Sequence, residues 1–350
     1  MVPLQFAVET GCKSGILKPN RGSIGIMNWT ENLQRGRFVV VGRAGMDLYA
    51  DPPGTQTEHA TGFSAALGGS SANIAVALAR LGQRVALVST VSDDAVGRFC
   101  RNELGRYGVD HTHVRTKGGE ARTSLAVVET RAVDTQSVIY RNNAADFDMT
   151  VTDVDQVDLT GIGALILTGT ALAMQPSRAA SLAIMTGAKA AGVTVVLDVD
   201  YRPYSWTNAA EALQVYADAA AMTDILIGND DEFGVMAGAK ADGLALARHY
   251  ATTRIVVYKM GAEGAITITP EGEFETPIFR VTALKPTGAG DAFMGGLIAG
   301  LARALPLRDA VRQGAAAAAI VVTRVGCAPA MPTQTEIDAF MKAHHAHSAV

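Results

Sequence analysis

Residues 285–293 read KPTGAGDAF, between a β-branched stretch and a long Ala/Leu/Gly-rich run, with one carboxylate, Asp291, directly after the last glycine. A dinucleotide-binding turn needs a third glycine, which here falls at Phe293, and such turns open the first βα unit rather than a C-terminal one. No GxxxxGK[ST] string occurs in the chain, so this is not a P-loop. What remains is a glycine-rich turn opening a helix. There the backbone N–H groups of Gly288, Ala289, Gly290 and Asp291 can converge on an anion, favoured by the positive end of the helix dipole. Asp291 itself has two readings: acceptor of the proton of an attacking hydroxyl in phosphoryl transfer, or a simple helix N-cap.

Upstream of this turn, short β-branched runs alternate with longer Ala/Leu-rich ones. Residues 37–42, 84–90, 164–168, 193–199, 224–228 and 254–259 are continuous apolar strands, as expected where both faces of a parallel sheet are covered. Helices are predicted over about 71–81, 94–107, 177–191, 208–221, 241–251, 290–304, 307–324 and 334–345. This alternation predicts an α/β fold with a doubly wound, mostly parallel sheet. Residues about 45–67 and 112–147 break the rhythm with alternating, half-exposed segments such as TSLAVVET (123–130), and read as a small β flap or lid. AAAAAIVV (315–322) is best explained as a tightly packed helix. Residues 1–36 show no sustained periodicity and read as a poorly ordered extension, with Met27 an alternative translation start.

The 350 residues are 48% hydrophobic and 18% charged, enough apolar surface for one large domain. A net charge of -4 gives no global attraction for nucleic acid or an anionic membrane. Three distant cysteines without a CxxC pair suggest neither a disulfide framework nor a thiolate zinc site, and make a reducing cytoplasm the expected location. The longest uncharged stretch, 159–177, is broken by Gly161, Gly163, Gly169 and Pro176, so no membrane span is expected, and Glu9 interrupts any secretory leader pattern. The seven histidines, three of them in the tail AHHAHS, have no metal spacing within the domain.

A second glycine loop, LGGSSANIAVALARLG (67–82), places Gly68 and Gly69 before a helix with Asn73 in its first turn. Asn73 either bonds a polyol or, with Ser70, caps the helix. Asp47, in GRAGMDLY after the first strand, sits where open α/β sheets bind ligands, and reads equally as a hydroxyl acceptor or a turn residue.

The ordered set GG-x-x-AN, N-x-x-E and GAGD-x-F resembles the ribokinase-like (PfkB) family of sugar kinases over about residues 37–345. The resemblance implies a Rossmann-like sheet with a small β lid, and ATP- and magnesium-dependent phosphorylation of a hydroxyl. It makes Asp291 the catalytic base and Gly288, Ala289 and Gly290 the anion hole. Asn229 and Glu232 match the family's N-x-x-E, which arranges magnesium and its water near the phosphates; an ordinary first-turn helix acid is the other reading of Glu232. Lys259, Gly261 and Gly264 match the strand-turn bordering the nucleotide, with Thr287 beside the phosphates. A monovalent cation and homodimerisation through the lid are further features the resemblance suggests.

Many members carry Asp-Thr where this chain has Lys285-Pro286. With GRAGMDLY, YRNNAADF and LDVDYRPYSW, that departure makes the chain similar to the 5-dehydro-2-deoxygluconokinase branch, which acts in myo-inositol catabolism. The implied reaction phosphorylates the C6 hydroxyl of 5-dehydro-2-deoxy-D-gluconate. Alternatives are 2-keto-3-deoxygluconate kinase, ribokinase or fructokinase activity on a neutral sugar, and a catalytically silent sugar-binding regulator. A sugar acid needs a cation for its carboxylate, and arginine suits bidentate pairing. Arg141, beside Tyr140 in the lid, and Arg202 are the candidates; Arg202 reads equally as an ion-pair partner of Asp198 or Asp200. Lys285 is open between an ATP-phosphate ligand and some other role.

Overall fold

The structure is a computed structural model and describes residues 27–347. Its strands are β1 (Arg37–Val41), β2 (Gly45–Asp51), β3 (Gly62–Gly68), β4 (Arg84–Ser92), β5 (Val114–Lys117), β6 (Ser124–Val128), β7 (Ser137–Tyr140), β8 (Ala164–Thr168), β9 (Thr194–Asp198), β10 (Ile225–Asn229), β11 (Ile255–Lys259), β12 (Ala265–Thr269) and β13 (Gly272–Thr276). Its helices are α1 (Met27–Leu33), α2 (Ser70–Arg80), α3 (Ala95–Arg106), α4 (Val151–Asp155), α5 (Ser177–Ala190), α6 (Ala209–Ala221), α7 (Asp230–Ala237), α8 (Gly243–Tyr250), α9 (Ala289–Ala302), α10 (Leu307–Val322) and α11 (Gln334–His347).

The main sheet runs β13-β12-β11-β10-β9-β8-β1-β4-β5, parallel from β11 to β5, with an antiparallel β12–β13 hairpin at one edge. Helices cover both faces, which is why its strands read as unbroken apolar runs. In β1, Phe38 and Val40 belong to one core while Val39 and Val41 belong to the other, and all four are buried. Each such side chain contributes on the order of 2 kcal/mol of transfer free energy. From β1 the chain winds first toward β4 and β5 and then returns to β8 on the other side. That reversal creates a switch point at the carboxyl ends of the strands, where a crevice must open.

The lid is a separate four-stranded sheet, ordered β3-β2-β6-β7. Residues 112–147, expected to lie wholly in it, divide: β5 pairs parallel with β4 and extends the main sheet, and only β6 and β7 join the lid. Four residues with a single buried position gave β5 no sequence period of its own. Besides the unexpected five-residue helix α4, three further parts of the chain differ from expectation. Residues 1–26 of the expected extension lie outside the described residues, but Met27–Leu33 form α1, and Leu33 is fully buried in the core. Helix α7 begins with three consecutive acids, which obscured its apolar face. The β12–β13 hairpin alternates Thr and Glu with isolated apolar residues, Ile266, Ile268 and Phe274 among them, and gave no long apolar run.

Close packing of α9 sets the site. A Cβ at Gly295 would meet the Cβ of Ala77 on α2 at 2.4 Å, and one at Gly296 would meet the Cα of Gly314 on α10 at 2.9 Å. Glycine and alanine at these contacts let three helices approach backbone to backbone. The run 315–322 is therefore a packed helix face, as its composition predicted. With α9 drawn against α2, their N-terminal turns come side by side.

Candidate active site

A cleft of about 270 Å³ opens between the lid and the carboxyl ends of the main-sheet strands. It is lined by Asp47 from β2, Gly69, Ser70 and Asn73 from the start of α2, and Gly288 to Asp291 from the start of α9. Asp198, Asn229 and Lys259, at the ends of the adjacent strands β9, β10 and β11, form its floor. A second, largely apolar cavity of about 700 Å³ lies on the other side of the same turn, walled by Gly261, Gly264, Phe279 and Phe293. The two share Lys259, Pro286, Ala289 and Gly290. The first turn of α9 thus stands at the junction of a polar chamber and an apolar one.

The N-cap of α9 is Gly288, in the left-handed region at φ 84°, and no side chain caps the helix. Asp291 is therefore not a cap. Its Oδ2 instead accepts a hydrogen bond of 2.8 Å from Asn73 Nδ2, across 218 residues of chain. Burial pushes Asp291 up to about 7, Asp200 and Asp198 add to the rise, and the Asn73 bond and Arg202 oppose it. A carboxylate that exchanges its proton near neutrality, beside an uncapped helix start, has the properties of a general base at an anion site. Asn73, expected on substrate hydroxyls, orients the carboxylate and leaves its own Oδ1 buried without a hydrogen-bond partner.

The glycines of the first loop make room. Gly69, at φ 92°, carries its Cα so close to Arg43 that a Cβ would lie 2.5 Å from that residue's carbonyl oxygen. A Cβ at Gly68 would strike the Asp47 carboxylate at 2.0 Å, so Gly68 seats Asp47 and does not itself line the cleft. Asp47 is buried, which raises its proton affinity against the pull of Arg43, and Tyr49 donates to its Oδ2 at 3.1 Å. Tyr49 also reaches Cys327 Sγ at 3.2 Å, and burial pushes that thiol up to about 11.

On the floor, Asn229 and Glu232 form a reciprocal capping box on α7: Glu232 N donates to Asn229 Oδ1 at 2.8 Å, and Asn229 N to Glu232 Oε2 at 2.7 Å. Tyr201 N donates to the other Glu232 oxygen at 3.2 Å. Burial pushes Glu232 up to about 7, against Lys259 and with the help of Asp198. Lys259 stands 3.5 Å from Asp198; burial lowers its proton affinity, and the surrounding acids Asp198, Glu232, Asp200 and Asp291 outweigh burial and raise it. Among the described residues no three acidic, histidine or cysteine side chains gather closely enough to ligate a metal by themselves. Asp198 Oδ1 has no hydrogen bond beyond its 3.5 Å ion pair with Lys259, and Asn229 and Glu232 face the same chamber. This donor set fits a cation held chiefly by phosphates and water.

Other expected residues lie elsewhere. Arg202 is in the cleft but paired at 2.7 Å with Asp200, whose other oxygen is held by Ser70 and Thr170. Arg141 lines a different cavity, pairs with buried Asp146, donates to Ser205 and stacks 4.1 Å over the Phe147 ring. Its charge is already met, so it does not join the cleft. Tyr140 is exposed because β7 turns Ser137 and Ile139 toward the cleft and Val138 and Tyr140 outward. Lys285 lines neither cavity: fully buried behind the loop, its Nζ donates to Thr287 O at 2.5 Å and Val321 O at 3.5 Å. It braces the turn rather than facing a phosphate. Thr287 does reach the cleft, with an unpartnered buried hydroxyl. Arg43 and Cys327 line the cleft without having been assigned from sequence. For Arg43 the signal was available, since it too follows the end of β1.

Comparison with known proteins agrees with this layout. A family model described as pfkB family carbohydrate kinase matches residues 36–334. The 5-dehydro-2-deoxygluconokinase of Photobacterium profundum is 40% identical over 311 residues, 87% of this chain and 94% of the relative. That of Geobacillus kaustophilus is 38% identical over 319 residues, 89% and 95% of the two chains. A fructokinase from Vibrio cholerae, solved with fructose, ADP and potassium, superposes with a TM-score of 0.77 at 28% identity, covering 87% of this chain and 97% of that one. The aminoimidazole riboside kinase of Salmonella enterica, solved with its riboside and an ATP analogue, gives 0.73 at 28% identity, with 87% and 99% covered.

Proposed function

The chain belongs to the pfkB family of carbohydrate kinases, and from that premise we propose that it transfers the terminal phosphoryl group of ATP to the C6 hydroxyl of 5-dehydro-2-deoxy-D-gluconate. The substrate follows the activity for which its relatives at 36–40% identity are named. The observation that supports the chemistry is Asp291, a buried acid with a proton affinity near neutrality, held by Asn73 where a polar and an apolar cavity meet.

In this reading the sugar acid occupies the polar cleft under the lid, and the nucleotide base fills the apolar cavity beyond Gly261 and Gly264. Asp291 accepts the C6 proton as the oxygen attacks, and its bond to Asn73 keeps the carboxylate aimed and ionised. The uncapped N–H groups from Ala289 onward, with Lys259, stabilise the charge spread over the transferring oxygens. Asn229 and Glu232 would hold Mg2+ through water, and the ion would supply further neutralisation of that charge. The lid excludes water from the chamber. Phe63, Val138 and Tyr140 expose apolar surface on lid strands, which supports pairing of two copies through the lid.

A coupled ADP-release assay over 5-dehydro-2-deoxygluconate, 2-keto-3-deoxygluconate, ribose and fructose tests the substrate, with the first expected to give the highest kcat/KM. Asp291→Ala should lower turnover by about 100-fold or more with little change in sugar binding. Near-normal turnover in that variant would remove Asp291 from the mechanism.

A further inference from the structure

We infer that Arg43 is the receptor for the carboxylate of the sugar acid, an assignment that rests on the sugar-acid reading above. Arg43 sits between β1 and β2, only 6% exposed, and lines the cleft with Asp47, Asn73 and Asp291. Its Nε is buried without a hydrogen-bond partner. Among the described residues its neighbouring arginines are engaged, Arg141 with Asp146 and Arg202 with Asp200, while no acid lies within 4.0 Å of Arg43. Its charge is felt nearby, opposing the burial that raises Asp47 and adding to the burial that lowers Arg141. Asp47 is near enough to sense Arg43 but is turned to the Tyr49 hydroxyl instead.

A guanidinium taken out of water without a counter-ion is strongly unfavourable, and breaking such pairs is costly because a lone buried charge remains. Arg43 stands in that condition in the ligand-free protein, at the wall of the substrate cleft. A ligand carboxylate is the group that completes it, since the planar fork of donors matches two carboxylate oxygens. The placement also orders the substrate. In a six-carbon acid the carboxylate and the C6 hydroxyl are opposite ends of one chain, and Arg43 and Asp291 are two walls of one cleft. With Arg43 on C1, Asp47 and Asn73 lie along the hydroxyl-bearing middle and C6 is left for the base. The other two arginines would have to abandon buried acids to do the same.

The test is calorimetric titration, without nucleotide, of the wild type, Arg43→Met, Arg43→Lys and Arg141→Met with 5-dehydro-2-deoxygluconate and with its C1 alcohol analogue. Arg43→Met should weaken the acid about 100-fold and leave the alcohol within about threefold, with part of the loss restored in Arg43→Lys. Because the unpaired charge is a liability in the free protein, Arg43→Met should melt at the same temperature as the wild type or higher. Equal loss for acid and alcohol, a lowered melting temperature with unchanged selectivity, or loss of selectivity in Arg141→Met but not Arg43→Met would each overturn the assignment. Binding and turnover separate the two readings. Acid that binds through Arg43 yet releases no ADP refutes only the kinase reading, and acid phosphorylated equally well by Arg43→Met refutes only the role of Arg43.

Discussion

Replacing Asn73 with leucine removes the one hydrogen bond that the Asp291 carboxylate receives from a side chain while preserving size. A hydrogen bond to a charged group contributes about 1.5–3 kcal/mol, and one pH unit of proton affinity corresponds to about 1.4 kcal/mol. The bond favours the ionised form, so its loss must raise the affinity of Asp291 for its proton, by about one pH unit if partial re-solvation recovers the rest. From a starting value of about 7, the ionised fraction at pH 7 falls from about one half to about one tenth, a fivefold loss of kcat/KM. Above pH 9 the base is ionised in both proteins and the loss should shrink to less than about threefold. The assay is the pH profile of kcat/KM from ADP release between pH 5.5 and 9.5, with melting temperature as a folding control. A uniform drop at every pH, with the acidic limb unmoved, would refute this reasoning and make Asn73 a sugar ligand alone.

Asp291→Asn should stabilise the ligand-free protein at pH 8, by an amount on the order of a few kcal/mol. The folded carboxyl holds its proton up to about 7 while the unfolded one releases it near the ordinary aspartate value of 3.8, so stability falls as pH rises between these values and the cost is complete above 7. The gain in melting temperature should therefore vanish toward pH 4. Gly68→Ala drives a methyl into the Asp47 carboxylate and should raise KM for the sugar about tenfold or more with a smaller change in kcat; an unchanged KM would show that Asp47 is dispensable. Val138→Asp together with Phe63→Asp, both on exposed lid positions, should convert a lid-mediated dimer to monomer by light scattering, and a protein monomeric before mutation would end that proposal.

The architecture was largely legible because doubly covered parallel strands leave an unmistakable trace: β1, β8, β9, β10 and β11 each fall within about a residue of their apolar runs. Short or polar elements left less. β5 has one buried residue, α7 hides its apolar side behind Asp230, Asp231 and Glu232, and β12–β13 is half threonine and glutamate. In the site, residues fixed by backbone placement came through: Asp291, Asn73, Asp47 and Lys259 are gathered in one cleft. Roles that depend on which partner a side chain finds did not. Arg141 has the right charge and the wrong neighbour, buried Asp146. Lys285 carries the expected ammonium but points into the protein, toward two carbonyls. Arg43 is the converse, legible from its place after β1 but given a role only by the partner its Nε lacks. Which partner a side chain finds leaves no period to read, even over the five positions from Arg141 to Asp146.

Lid strand β3 ends at Gly68, Gly69 caps α2, and Asn73 follows in the first turn of that helix. Four residues therefore separate the lid from the side chain that holds the Asp291 carboxylate, with no slack loop between them. The linkage is mechanical. On the proposed mechanism, a displacement of the lid would reach the base as a change in its aim, an interlock that would hold transfer to water back while the sugar chamber gapes.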